Sequence, residues 1–480
     1  MRYKIVLNTL GNLLFYLGLS MVFPLLYAIY YKEPTIKAFI LSLIITVIAG
    51  VLLRKFFPSS EPIGIKEGLA IATLGWILAA GFGTLPFLFS GTFSNFVDAY
   101  FESMSGFTTT GASVLVPIEG NPLSILFWRD FIQWLGGMGI IVLVVALLPT
   151  LGVGGMQLFK SEVPGPEPDR LKPQIRETAR LLWLVYLIIS ALQVGLLYFT
   201  GMPLFEALTH MFGSMATGGF SPRGLSVAAY NNPIFELIIM IFMFIAGTNF
   251  TLNYKVLHGD IKSLIKDQEF LFYAGVILIS ILAITTQLFY YVYHSIFTAL
   301  RYASFQVVSI VTTTGFVTAD YDTWPAFSQS ILLILMFIGG CAGSTGGAIK
   351  NIRILLFLKQ SRREFHRMIH PQSVTPIRLG NKVVSEEVMH SVTSFFFLYI
   401  IIFIICTFIM TLLGLDIVSA MSSVAATLGN VGPGLGMVGP SQNYAFLPPL
   451  GKIVLTICML LGRLEIYRVL VLVVPEFWRK

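Results

Sequence analysis

Long apolar runs separated by short polar breaks dominate the chain, and the runs have the length that matters in a bilayer. A spanning helix needs about 20 predominantly apolar residues. Ten stretches qualify, at roughly 6–31, 35–57, 67–90, 123–151, 179–200, 233–257, 269–294, 327–359, 388–413 and 447–474. The last eight form four consecutive pairs. Each pair encloses a short, partly apolar segment such as Phe96 to Phe107, too short to cross. The pattern therefore predicts two leading helices, then four units of helix, re-entrant helix and helix.

Each enclosed segment ends in a Thr-x-Gly copy. The copies are Thr108-Thr109-Thr110-Gly111-Ala112-Ser113, Ala216-Thr217-Gly218-Gly219-Phe220, Thr312-Thr313-Thr314-Gly315-Phe316 and Ala426-Thr427-Leu428-Gly429-Asn430. Anchored on Gly111, Gly219, Gly315 and Gly429, each has Thr two residues earlier: Thr109, Thr217, Thr313 and Thr427. Six residues earlier stand Ser105, Gly213, Ser309 and Ser423, all small, and thirteen earlier stand Asp98, Glu206, Tyr302 and Asp416. One copy is noise, but four in phase between apolar segments mark an internal repeat. In the fourth copy Gly432 is an alternative anchor. The acidic position favours Gly429, because Gly432 would place Ser419 there.

Composition agrees with a polytopic, all-α membrane protein. The 480 residues are 56% hydrophobic and 11% charged, against about 25% charged in soluble domains. Cys341, Cys406 and Cys458 all fall in apolar segments and offer neither a disulfide framework nor metal-ligand spacing. The net charge of +7 fits the excess of Lys and Arg in cytoplasmic loops, and no nucleic-acid partner is expected. No small-residue cleavage site follows the first run, which reads as an uncleaved helix. A cytoplasmic N-terminus puts Arg2, Lys4, Arg54, Lys55, Lys66, Lys160, Arg170, Lys172, Arg176, Arg180, Lys255, Lys262, Lys266 and the run from Lys350 to Lys382 inside, with Arg479 and Lys480. Lys32, Lys37, Arg223 and Arg301 remain outside, and Arg129 and Lys452 lie near helix ends. Both termini are then cytoplasmic, and the re-entrant segments enter from outside. Ser161–Pro173 and residues 360–385 read as cytoplasmic loops. The second is rich in Arg and His, and serves either as a solvated, lipid-facing surface or as a dock for a cytoplasmic subunit.

Non-helical backbone is tolerated at membrane depth only where it lines a cavity or is buried in protein. Four such segments can converge in pseudo-fourfold symmetry so that carbonyl rings replace an ion's water shell. Glycine suits such a lining because it adopts backbone angles that a side chain forbids. The expected potassium-binding filter residues are Thr109, Thr110, Gly111, Thr217, Gly218, Gly219, Thr313, Thr314, Gly315, Leu428, Gly429, Asn430 and Val431. Asp98, Glu206 and Asp416 fall at the outer ends of the re-entrant helices, where the helix dipole favours a carboxylate. They read as an outer mouth that gathers cations, or simply as caps. Close helix packing explains a single glycine, but not four in phase.

The motifs Gly106-Phe107-Thr108-Thr109-Thr110-Gly111-Ala112-Ser113, Thr217-Gly218-Gly219-Phe220-Ser221 and Leu428-Gly429-Asn430-Val431-Gly432-Pro433 are similar to the filter sequences of the Trk/Ktr/HKT superfamily of potassium transporters. The resemblance covers roughly residues 67–475, and the two leading helices look like the Trk (TrkH-type) branch. It implies potassium uptake through a channel-like pore, a homodimer with one pore per subunit, and a cytoplasmic nucleotide-binding regulatory subunit (TrkA-like). It also implies a multi-pass protein of the bacterial inner membrane, with potassium as substrate and no cofactor. No copy reads Thr-Val-Gly-Tyr-Gly, as in tetrameric potassium channels. The expected division is a two-helix domain over 1–60 and pore repeats over 67–151, 179–257, 269–359 and 388–475.

The third repeat holds Gly339-Gly340-Cys341-Ala342-Gly343-Ser344-Thr345-Gly346-Gly347 inside a segment too long for one span. Glycines weaken a helix by about 1 kcal/mol each relative to Ala, so residues 339–347 read as an unwound loop below the filter. In the family this stretch is an intramembrane gating loop, which assigns gate roles to Gly343, Ser344, Thr345, Gly346 and Gly347. Arg463 interrupts the last helix, and intramembrane ionisable residues are functional candidates by default. The family places a pore arginine here, so Arg463 joins the gate. His210, inside the second re-entrant helix, is the histidine to watch. Two rivals are weighed. A proton- or sodium-coupled symporter with alternating access needs an inverted repeat or a midplane carboxylate pair, yet the four repeats run the same way. An enzyme needs a nucleophile or paired acids in one cavity, and no such set stands out.

Overall fold

The computed structural model describes residues 1–59, 61, 63–139, 175–373, 375–380 and 382–479. The expected loop Ser161–Pro173 and the end of the 123–151 segment lie outside them. Among the described residues six helices are long and apolar enough to cross a membrane: Tyr3–Tyr30, Ile36–Phe56, Ile65–Phe89, Glu177–Phe199, Gln268–Tyr293 and Glu386–Leu412. The chain is a multi-pass, all-helical membrane protein.

Helices α1 (Tyr3–Ser20), α2 (Val22–Tyr30) and α3 (Ile36–Phe56) form the leading pair of spans. Small residues set how closely they pack. A Cβ on Gly50 would lie 2.6 Å from the Phe15 backbone nitrogen, and one on Gly11 2.9 Å from the Gly50 carbonyl.

The other four spans each open a repeat. The first repeat has α4 (Ile65–Gly83) and α5 (Leu85–Phe89), then α6 (Phe96–Phe107) and α7 (Leu123–Gly137). The second has α8 (Ile175–Phe199), α9 (Leu204–Met215), α10 (Pro233–Ala246) and α11 (Phe250–Leu257). The third has α12 (Gln268–Leu288), α13 (Ile296–Val311), α14 (Ala326–Leu335) and α15 (Asn351–Ile369). The fourth has α16 (Glu386–Leu412), α17 (Ile417–Leu428) and α18 (Pro449–Arg463). The short helices α6, α9, α13 and α17 stand where the pattern puts the re-entrant segments, and α6 matches Phe96–Phe107 at both ends.

In the second, third and fourth repeats the closing helix departs from a simple span. In the third repeat the helix stops at Leu335 and resumes at Asn351, as the glycines predict, and a parallel bridge from Ile338 to Ile349 ties the neck of the loop. In the second repeat the expected single span 233–257 is broken instead: α10 and α11 meet at 110°. Thr248 donates to the Ile245 carbonyl at 2.7 Å, and the Asn249 side chain accepts from Thr251 N at 2.8 Å, capping the new helix. A hydropathy window cannot see a cap, whereas the backbone obeys it. The expected span 447–474 also ends early, at Arg463, followed by Glu465 and Ile466 with φ of 58° and 35°.

Candidate functional site

The four short helices end at Phe107, Met215, Val311 and Leu428. Four residues beyond each end is a glycine with positive φ: Gly111 (82°), Gly219 (75°), Gly315 (78°) and Gly432 (98°). Two residues before each is another left-handed residue: Thr109 (54°), Thr217 (54°), Thr313 (59°) and Asn430 (54°). A β-branched residue held there costs on the order of 1–3 kcal/mol, so the surroundings must impose the shape. The amides of Thr110, Gly218, Thr314 and Val431 donate back to the carbonyls of Ser105, Gly213, Ser309 and Ala426 at 2.7–2.8 Å.

These contacts correct the register of the fourth copy. Leu428 is the last helical residue, and Gly429 continues right-handed at φ −81°. The ring position belongs to Gly432, with Asn430 in the place of Thr109. Asp416 is then the N-cap of its helix, and Ser419 is the equivalent of Asp98 and Glu206. The spacing to Asp416 was coincidental.

The segments close on one another in order. A Cβ on Gly111 would lie 2.1 Å from the Gly218 carbonyl oxygen, and one on Gly219 1.9 Å from that of Thr314. On Gly315 it would lie 2.0 Å from the Val431 oxygen, and on Gly432 2.6 Å from the Thr110 oxygen. The first repeat touches the second, the second the third, the third the fourth, and the fourth the first. Backbone packed this tightly admits no side chain at the ring.

A cavity of about 90 Å³ opens on the ring, lined by all four glycines together with Arg129 and Arg223. Asp98, Glu206 and Asp416 do not line it, which corrects the expected acidic mouth. Asp98 pairs with Lys452 Nζ at 2.5 Å and Glu206 with Arg223, while Asp416 accepts from Ser419 N at 3.1 Å. All three stand at the starts of their helices, but only Asp416 caps its own: Asn95 is the N-cap of α6, and Glu206 lies in the first turn of α9.

On the opposite side of the ring lies the glycine loop. Its Gly347 amide donates to Thr313 Oγ1 at 2.7 Å, and Thr217 Oγ1 donates to Thr345 Oγ1 at 3.2 Å. Arg463 Nη1 donates to the Thr345 carbonyl at 2.7 Å and to Thr109 Oγ1 at 3.2 Å, while Nη2 reaches the Gly136 and Gly137 carbonyls at 2.6 and 2.7 Å. A Cβ on Gly347 would sit 2.8 Å from that of Asn430. The loop thus meets all four left-handed residues, one through Arg463. Its base is held by Glu269, which accepts from the Ala342 and Ile352 amides at 2.7 and 3.0 Å.

This architecture is shared with known proteins. The sequence profile of TrkH, a cation transport protein, matches residues 35–480. The chain belongs to the TrkH family. It is 42% identical over 487 residues to the Trk system potassium uptake protein TrkH of Salmonella typhimurium, covering all of both chains, and 35% identical to the TrkG protein of Escherichia coli K12 over 99% of each. Its structure matches the crystal structure of the potassium transporter TrkH from Vibrio parahaemolyticus with a TM-score of 0.90 at 37% identity over the full length of both.

In this TrkH-family chain the sequence locates the ring, the loop and His210, but not the other residues that brace the ring. Glu102, His210 and Gln306 stand nine residues before their ring glycines and reach the chain beyond those glycines. Glu102 accepts from Ser113 Oγ and Val114 N, both at 2.8 Å; His210 Nε2 meets Ser221 Oγ, and Gln306 donates to Thr318, both at 3.2 Å. In the fourth repeat Ser422, ten residues before Gly432, reaches beyond its glycine too, donating to the Leu435 carbonyl at 2.9 Å. A polar residue recurring inside an apolar helix was a readable signal at three of these positions.

Proposed function

We infer that this chain takes up potassium across the bacterial cytoplasmic membrane through a channel-like pore whose filter is the ring of Gly111, Gly219, Gly315 and Gly432. The observation that carries the reading is the closed ring of four segments, each with two left-handed residues, the second a ring glycine at which no side chain fits. Such backbone can offer only carbonyls, with threonine hydroxyls at its inner edge. Carbonyl rings suit a cation that must shed water and still leave. The named relatives are potassium transporters, in agreement. On this reading the loop 343–347, with Arg463, is the gate. The pore repeats keep the divisions given above, with both termini cytoplasmic and a homodimer carrying one pore per subunit. Whole-cell uptake with potassium or sodium as the sole ion, in a strain lacking other uptake systems, should show potassium-dependent accumulation. Uptake that follows sodium or a proton gradient instead would favour a coupled symporter.

The proposed nucleotide-binding regulatory subunit (TrkA-like) needs a cytoplasmic face. The end of α15 offers one: Phe365, Met368 and Ile369 are 68%, 80% and 72% exposed beside Arg362 and Arg367. Arg363 is excluded from that face, since it is buried and pairs with Glu386. Arg362→Glu with Arg367→Glu should weaken co-purification of the subunit several-fold at low salt, with the difference shrinking as salt is raised. Equal recovery at low salt would remove this helix end from the interface.

A further inference from the structure

The four ring segments differ at the residue before the glycine. It is Thr110, Thr314 and Val431 in three repeats and Gly218 in the second. Side chains at this position help fix the segment. Thr110 and Thr314 hydroxyls pair with Thr108 and Thr312 at 2.8 Å, and Asn430 Nδ2 donates to Thr110 Oγ1 at 2.9 Å. Gly218 is not among the left-handed residues, so its backbone does not require glycine.

Another residue fills the space. A Cβ on Gly218 would lie 2.5 Å from Cδ, 2.7 Å from Nε2 and 2.8 Å from Oε1 of Gln133. Gln133 is fully buried on α7 of the first repeat. Its Nε2 donates to the Gly218 carbonyl at 2.7 Å, and its Oε1 accepts from Phe220 N at 3.0 Å. One turn earlier Arg129 donates to the Ser221 carbonyl at 3.1 Å and lies 3.6 Å from the Phe220 ring centroid. The first repeat therefore grips the second segment at residues 218, 220 and 221.

We propose that Gln133 is a specificity-determining positioning residue: its amide supplies, from a neighbouring repeat, the side chain that the second segment lacks. It sets where the Gly218 carbonyl stands in the ring. Ion discrimination depends on the placement and freedom of those carbonyls, so a ring loosened in one quarter keeps conducting but discriminates less. The inference rests on the reading of the ring as the filter.

The test is a swap, read as the ratio of potassium to sodium uptake in cells lacking other uptake systems, with membrane content checked for each variant. Gln133→Ala should lower the ratio roughly ten-fold, the effect of losing buried hydrogen bonds. Gln133→Met, which keeps volume and loses both bonds, should do the same. Gly218→Thr alone should lose uptake, because its side chain collides with Gln133. The double variant Gln133→Ala, Gly218→Thr should recover a ratio well above either single one. Should Gln133→Ala fail to assemble, recovery of assembly in the double variant supports the swap, and no recovery overturns it. Wild-type ratios in both Gln133 variants, with Gly219→Ala still altering the ratio, would overturn the role of Gln133 and leave the filter reading standing. Wild-type ratios in all three would remove both.

Discussion

Gly219→Ala is expected to cut the potassium-to-sodium preference by roughly a hundred-fold. Two costs act together. A left-handed non-glycine residue is unfavourable by about 1–2 kcal/mol. The new Cβ would also stand 1.9 Å from the Thr314 carbonyl, and Thr314 cannot simply retreat, since its amide is tied to Ser309 at 2.8 Å. A combined shift near 3 kcal/mol corresponds to about a hundred-fold. Gly195→Ala is the control, because a Cβ there meets nothing within 4 Å in the interior of α8. Uptake ratios in whole cells compare the two. Equal ratios for Gly219→Ala and wild type would remove Gly219 from the filter.

Deleting Gly343 to Gly347 is expected to raise basal potassium flux about ten-fold or more without a regulatory partner. The deletion removes the atoms that meet Thr217 and Thr313, along with the carbonyl that Arg463 holds. Each 1.4 kcal/mol of lost closed-state preference is worth ten-fold in open population. Arg463→Ala should raise flux less. It removes a cation whose field is strengthened by the low dielectric, but leaves the loop in place. Flux into liposomes holding this chain alone measures both. A correctly folded deletion with wild-type flux would make the loop a packing feature.

Periodicity carried much of this fold into view. The four-fold repeat, the boundaries of α6 and the unwound loop all follow from apolar run length and glycine density, which are local. What escaped depended on contacts between distant residues or on finer backbone chemistry. The fourth register leaned to Gly429, with Gly432 as the alternative, because Asn430 replaces threonine at the left-handed position. Asparagine tolerates that conformation, so Asn430-Val431-Gly432 was the signal, and Thr427-Leu428-Gly429 with Asp416 mimicked it. The acids read as a cation-gathering mouth until their partners are known, and Lys452 lies 354 residues from Asp98. The bend after α10 lay in Gly247-Thr248-Asn249, a small and polar break that a hydropathy window over 233–257 averages away. Gln133 carried no signal in the sequence, because its role needs Gly218, 85 residues away.

Single-channel recording of the purified chain in a lipid bilayer, with a potassium gradient and sodium as the competing ion, tests the central claim most directly. A carbonyl-lined pore predicts discrete unitary currents whose reversal follows the potassium gradient, and which persist when the proton gradient is removed. Absence of unitary currents, with potassium flux that instead tracks sodium or protons in fixed ratio, would contradict it.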